Sequence, residues 1–336
     1  MHEGMYGVIL HALLALLTAF TLAAALGPVS IPMLRALKDG KRRKDRKAQE
    51  NEALSDLPTM GGIILFGAAL IGSLLWARDS YAFLLPALLL TALMGMVGYA
   101  DDLLHVRLGG GLALWQKLTL QSVIAVGFAV LFYLMENVGP AVWLDWGTLG
   151  FFYVPLAAAF IVGTVNMVRL TEEVNGLPLA AGGTGALLWC ALLCMLVQTA
   201  TPFKNIGLTL GLCDLAVFGA AIAGGCMGLL LYNTPPAQLR IGETGAYVLG
   251  GALAALALLS RTGLALPLLG IGFTATGLSV VMQIVSFRMG RAVFKATPFH
   301  RQLAAMGMPE SKIIMVYAIF TVVGGAAAML IAWFTK

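Results

Sequence analysis

Asp101 and Asp102 stand side by side in Gly98-Tyr99-Ala100-Asp101-Asp102. Adjacent carboxylates at the carboxyl end of a helix repel each other and the helix's own partial negative charge. They persist there if they bind a cation or if one of them takes up a proton. The pair therefore reads as a divalent-metal or proton-acceptor site, or, more blandly, as the solvated start of a loop. Mg²⁺ suits one or two carboxylates together with substrate phosphates. A second polar cluster, Glu172, Glu173 and Asn175, lies in the stretch from Asn166 to Gly176. Glu243 lies in Ile241-Gly242-Glu243-Thr244-Gly245, where the glycines flank a helix amino end whose free N–H groups favour anions. His300 sits in Pro298-Phe299-His300-Arg301, in a segment that also carries Arg288, Arg291 and Lys295. Such a segment suits phosphate groups, or anionic lipid headgroups with no catalytic meaning. The run Lys41 to Lys47 reads as a topology signal and lipid contact.

These groups must be held by apolar helices. Of 336 residues, 60% are hydrophobic and 11% charged, and the mean hydropathy is +0.90. Soluble domains carry about 25% charged residues. The composition excludes a soluble enzyme, a disordered chain and a nucleic-acid binder. Crossing a bilayer takes about 20 apolar residues in helical form, because backbone groups in lipid must be satisfied internally. The apolar runs predict ten spans, near 8–34, 60–77, 81–100, 117–135, 149–168, 179–200, 215–232, 245–260, 263–287 and 313–333. The fold class is all-α, a polytopic single domain over 1–336. Its longer polar stretches are a basic loop at 35–58 and a histidine loop at 288–312. Cys190, Cys194, Cys213 and Cys226 read as small apolar residues, and the first apolar run lacks the basic flank of a cleavable signal peptide.

An even span count puts both termini on one side. All but four of the 21 Lys and Arg residues, namely Arg78, Lys204, Arg261 and Lys336, then fall in the loops of the opposite side. The positive-inside rule makes that side cytoplasmic, with both termini outside. Most of the acidic residues gather on the same side, and the span centres are nearly free of ionisable groups, unlike those of an ion-coupled transporter. Chemistry is expected in a cleft at the cytoplasmic interface.

Several motifs together resemble the polyprenyl-phosphate N-acetylhexosamine-1-phosphate transferase superfamily, and most of all its MraY branch. They are Pro58-Thr59-Met60-Gly61-Gly62, the paired-aspartate motif, and Gln116-Lys117-Leu118 with Gln121. Further along stand Asn233-Thr234-Pro235-Pro236-Ala237 with Gly242-Glu243-Thr244-Gly245, the segment Phe294 to His300, and Gly307-Met308-Pro309-Glu310. The resemblance covers nearly the whole chain. It implies ten transmembrane helices, usually dimeric, and transfer of phospho-MurNAc-pentapeptide from its UDP-linked donor to undecaprenyl phosphate, releasing UMP. The implied cofactor is Mg²⁺, held by Glu243 and Asp102. The implied catalytic residues are Asp101, Asp102 and His300. Lys117, Asn166, Arg169, Glu172, Asn175, Asn233, Arg240 and Arg301 are the implied substrate contacts. The implied partners are undecaprenyl phosphate, UDP-MurNAc-pentapeptide or another UDP-sugar, membrane lipid and a second copy of the chain, with no nucleic acid. The implied place is the bacterial inner membrane.

The chain departs from the family pattern at informative positions. Where the pattern after the fifth span reads Asn-x-Thr-Asp-Gly-x-Asp-Gly, this chain has Arg169-Leu170-Thr171-Glu172-Glu173-Val174-Asn175-Gly176. The metal-binding Asp is Glu243, the aromatic that stacks on uracil is Arg240, and the triple histidine is His300-Arg301-Gln302. Besides an MraY-like transferase, two alternatives follow. One is a phospho-sugar transferase with another nucleotide-sugar donor. The other is a non-catalytic paralogue that binds the lipid carrier, a nucleotide-sugar or a partner protein.

Overall fold

The computed structural model describes residues 2–42, 57–77, 81–134, 150–199 and 206–334. Among them there is no strand. Twelve α-helices follow in order: α1 (His2–Arg42), α2 (Gly62–Trp76), α3 (Leu84–Leu108), α4 (Leu114–Leu134), α5 (Tyr153–Arg169), α6 (Leu177–Thr199), α7 (Ile206–Asn233), α8 (Gly242–Leu259), α9 (Leu266–Leu269), α10 (Ile271–Arg288), α11 (Phe299–Ala305) and α12 (Glu310–Phe334).

Nine of these helices are long and apolar enough to cross a membrane among the described residues, and α2, at 15 residues, is shorter than a usual span. The chain is a polytopic membrane protein, helical throughout its described spans. Helix ends differ from the hydropathy reading where polar side chains are paired inside the protein. Helix α3 continues to Leu108, so Asp101 and Asp102 lie within it rather than after it. Helix α8 begins at Gly242, so Glu243 belongs to its first turn. Helix α1 runs on to Arg42, taking in the start of the basic loop, whose residues 43–56 lie outside the described ones. The ninth expected span is interrupted at Gly270 between the one-turn α9 and α10. Asp214 falls inside α7, buried, and accepts the Tyr81 N–H at 2.8 Å.

Helix α8 is the central element. It is apolar on all faces, and every residue from Thr244 to Leu259 is buried, as expected of a helix with no polar stripe. Helices α2, α3 and α5 pack around it, while α7 packs against α1, α2 and α6. Small residues set the close approaches, as they do where lipid supplies no hydrophobic drive between helices. A Cβ on Gly98 would lie 2.5 Å from the Glu243 carbonyl oxygen, and one on Gly62 would collide with the backbone of Gly245. These glycines draw α3 and α2 onto the amino end of α8. The outer faces carry exposed apolar side chains, such as Leu13 and Leu17 of α1, Val123 of α4 and Val281 and Val285 of α10.

Candidate functional site

The carboxyl ends of α3, α5 and α7 and the amino ends of α4, α6 and α8 meet at one end of the bundle. Contacts across these ends assemble the site. The Asn233 side chain, at the end of α7, accepts the Gly176 N–H at 2.7 Å and donates to the Leu239 carbonyl at 2.7 Å. It pins the loops 170–176 and 234–241 to each other.

Asp102 is buried and reaches from α3 to the amino end of α8. Its Oδ1 accepts the Glu243 N–H at 3.2 Å, and its Oδ2 accepts the Thr244 N–H at 2.9 Å and the Thr244 hydroxyl at 2.6 Å. Helix amino ends carry unpaired N–H groups and partial positive charge. Here a carboxylate from another helix supplies the cap that Ile241 does not. Gly242 has φ +70, and a Cβ there would collide with Asp102 Oδ2, so only glycine admits this contact.

Asp101 turns toward α4. Its Oδ2 meets Lys117 Nζ at 2.6 Å and its Oδ1 accepts the Leu112 N–H at 2.6 Å. Lys117 is itself buried, and its Nζ lies 3.3 Å from Glu243 Oε1. On the far side of Glu243, Arg169 Nε donates to both carboxylate oxygens at 2.8 Å. The order Asp101–Lys117–Glu243–Arg169 is a continuous alternation of charge across α3, α4, α8 and α5.

Two further pairs lie on the loop 170–176. Glu172 meets Arg240 Nη2 at 3.0 Å. Burial pushes the Glu172 carboxyl up to about 7, against the pull of Arg240. Glu173 accepts from Arg301 Nη2 at 2.6 Å and Nε at 2.7 Å, and lies 3.2 Å from His300 Nε2. His300 is 1% exposed, and its Nδ1 has no hydrogen-bond partner among the described residues. Burial holds its pKa below the ordinary value, with Glu173 opposing. Asn166 donates to Gln121 Oε1 at 2.6 Å and to its own helix at Val162. Asn175 is half-buried on the same loop.

The structure thus brings Asp101, Asp102, Lys117, Arg169 and Glu243 together, with Glu172 and Arg240 beside them. His300 and Arg301 join through Glu173. Sequence reasoning grouped Glu173 with Glu172 and Asn175 without giving it a partner, and assigned no role to Thr244 or the Leu112 amide. Glu173 had a signal, since it adjoins Glu172 and lies in the same chain as a basic histidine segment. Thr244 had none, because its role depends on Asp102 being delivered from another helix.

Mg²⁺, the cofactor the resemblance implies, requires carboxylate oxygens that are free to ligate in near-octahedral array. Both Glu243 oxygens are taken by Arg169, both Asp102 oxygens by α8, and Asp101 by Lys117 and a backbone N–H. Two fixed positive charges also flank Glu243 and repel a divalent ion. Among the described residues no three of His, Cys, Asp and Glu are grouped so as to hold a metal. The side chains as placed do not fit Mg²⁺.

Residues 84–261, spanning α3 to the loop after α8, match the family described as glycosyl transferase family 4. The chain is 34% identical over 317 residues to the phospho-N-acetylmuramoyl-pentapeptide-transferase of Caldanaerobacter subterraneus subsp. tengcongensis, covering 92% of this chain and 95% of that protein. It is likewise 34% identical to the phospho-N-acetylmuramoyl-pentapeptide-transferases of Moorella thermoacetica, over 95% and 98% of the two chains, and of Clostridioides difficile, over 91% and 93%. With kinship running from end to end, and not only through the matched segment, the chain belongs to the phospho-N-acetylmuramoyl-pentapeptide-transferase family of membrane glycosyl transferases.

Proposed function

We propose that the chain transfers phospho-MurNAc-pentapeptide from its UDP-linked donor to undecaprenyl phosphate in the bacterial inner membrane, a step of peptidoglycan synthesis, with release of UMP. The observation that carries this reading is the convergence of Lys117, Arg169 and Arg240 at one end of a bundle that is related over its length to such transferases. Both substrates are phosphorylated, and cations aimed into a partly dry site stabilise charge that shifts between phosphates.

The lipid phosphate, as a dianion, attacks the phosphorus that carries the sugar. One P–O bond forms, and the P–O bond to UMP breaks. At their phosphates both products carry two negative charges, as both substrates did, so no proton need move. The chain's contribution is to position and neutralise. Arg169 and Lys117 face the diphosphate, Asp101 orients Lys117, and Asp102 fixes α8 and so Glu243. Arg240 faces the nucleotide, and His300 and Arg301 steady the loop 170–176 through Glu173. The exposed apolar face of α4, with Leu118, Val123 and Val126, gives the polyprenyl tail a path in lipid that starts beside Lys117. The distribution of Lys and Arg supports a cytoplasmic site with ten spans and both termini outside, and a homodimer is the assembly the resemblance implies.

The test is exchange of radiolabelled UMP by the purified protein with undecaprenyl phosphate and UDP-MurNAc-pentapeptide. Lipid-linked product with this donor supports the reading, and turnover only with a different UDP-sugar would transfer it to that donor. A second reading, binding without turnover, draws support from one feature: every carboxylate of the central cluster already has a partner within the chain. Retained ligand binding with no exchange for any donor would establish it.

A further inference from the structure

We infer that this site meets the diphosphate of its nucleotide ligand with Lys117 and Arg169 in place of a divalent cation, so that the ligand binds without Mg²⁺. The inference takes the ligand class from the transferase reading, but its own content is the replacement of a metal by two side chains.

The geometry of Glu243 is the first argument. Arg169 Nε is 2.8 Å from both of its oxygens and Lys117 Nζ is 3.3 Å from one of them. A divalent cation at Glu243 would compete with both for the same two oxygens. The second argument is space. A Cβ on Gly111 would collide with Asp101 Oδ1 and one on Gly242 with Asp102 Oδ2, so the backbone next to the Leu112 and Glu243 amides lies close against the two carboxylates. The third is charge. Glu243 is held between Arg169 and Lys117, so a divalent ion there would stand beside two fixed positive charges.

A guanidinium stays charged at any accessible pH and binds carboxylate or phosphate with the same planar fork. A diphosphate can therefore replace Glu243 on Arg169 by exchange of one anion for another. Lys117, held by Asp101, remains in place as a second positive charge. No ion has to be recruited from solution for either contact.

Two measurements on the purified full-length protein in detergent test this. The first is binding of UDP, with EDTA and then with Mg²⁺. Affinity is expected to agree within about twofold in the two buffers and to fall about 10- to 100-fold in Arg169→Leu, with part of the loss recovered in Arg169→Lys. The second is electron paramagnetic resonance with Mn²⁺ alone. The wild-type protein is expected to take up no Mn²⁺ saturably, and the double variant Arg169→Asn/Glu243→Asp to acquire a saturable site. Loss of UDP binding in EDTA, a saturable Mn²⁺ site in the wild type, or no UDP binding in either buffer overturns the inference. Metal-indifferent UDP binding with no UMP exchange leaves the inference standing and removes the transferase reading instead.

Discussion

Arg169 and Glu243, at the facing ends of α5 and α8, form an ion pair in which one donor, Nε, is shared between the two carboxylate oxygens at 2.8 Å each. The two side chains are 27% and 20% exposed. Breaking a fully buried pair costs about 3–5 kcal/mol, and an exposed one about 0–1 kcal/mol. Arg169→Leu is expected between these limits, at about 1–3 kcal/mol. Replacing both residues by leucine should cost less than the sum of the single changes, because neither charge is then stranded. Denaturant unfolding of the four proteins in one detergent checks this. Additive effects would mean that the pair is not coupled.

Asp102 holds the amino end of α8 by two N–H groups and one hydroxyl. Asp102→Asn keeps the shape but removes the charge that faces the helix dipole, and about 1–2 kcal/mol of stability should go with it. Thr244→Val removes the hydroxyl donor alone and should cost about 1 kcal/mol. Unfolding curves that leave both variants unchanged would show that the cap contributes nothing.

Gly98 lets α3 lie against α8. In Gly98→Ala the new methyl meets the Glu243 carbonyl at 2.5 Å, and the helices must part. Overpacking of this kind costs about 1–3 kcal/mol. The same movement withdraws Asp102 from its amides, so amide exchange in the first turn of α8 should quicken. A control at Gly127, where a Cβ meets nothing within 4 Å, should show neither effect.

Two groups near the site titrate in opposite senses. Glu172 in the folded protein holds its proton up to about 7, against an ordinary value of 4.5. The folded state therefore binds the extra proton between those values, and this contribution to stability falls as pH rises from 4.5 to 7. Glu172→Gln should flatten that decline. His300 is held below its ordinary 6.5, so the fold prefers the neutral ring. Its contribution is full above 6.5 and is lost as pH falls below it. His300→Gln should remove that loss. Stability measured across pH 5–8 for the three proteins separates the two, and equal slopes throughout would refute both assignments.

Glu173 carries two partners on the segment 299–305. It is about half exposed, with 46% of its side chain accessible, so Glu173→Gln should cost at most about 1 kcal/mol. Its larger effect should be local: faster amide exchange in α11, and faster cleavage there by protease.

Apolar runs long enough to span lipid can be counted in the sequence, because hydrocarbon demands helices and helices demand some 20 apolar residues. The short α2, the break at Gly270 and the extension of α3 past Asp102 escaped that count. Hydropathy registers how apolar a segment is, but not whether its polar side chains find partners inside the protein. The hydropathy count ended the third span near residue 100, just before Asp101 and Asp102. They stay helical because Lys117 and the amino end of α8 neutralise them.

The sequence also singled out polar residues that the fold brings together, since charged groups are scarce in so apolar a chain. The pairing among them was decided only by tertiary structure. Asp102 and Thr244 are 142 positions apart, and Lys117 and Glu243 are 126 apart. Which carboxylate meets which cation depends on how closely glycines allow α3, α5 and α8 to approach. No local pattern records that distance, and it decides whether the acidic residues of this site face a metal or the chain's own lysine and arginine.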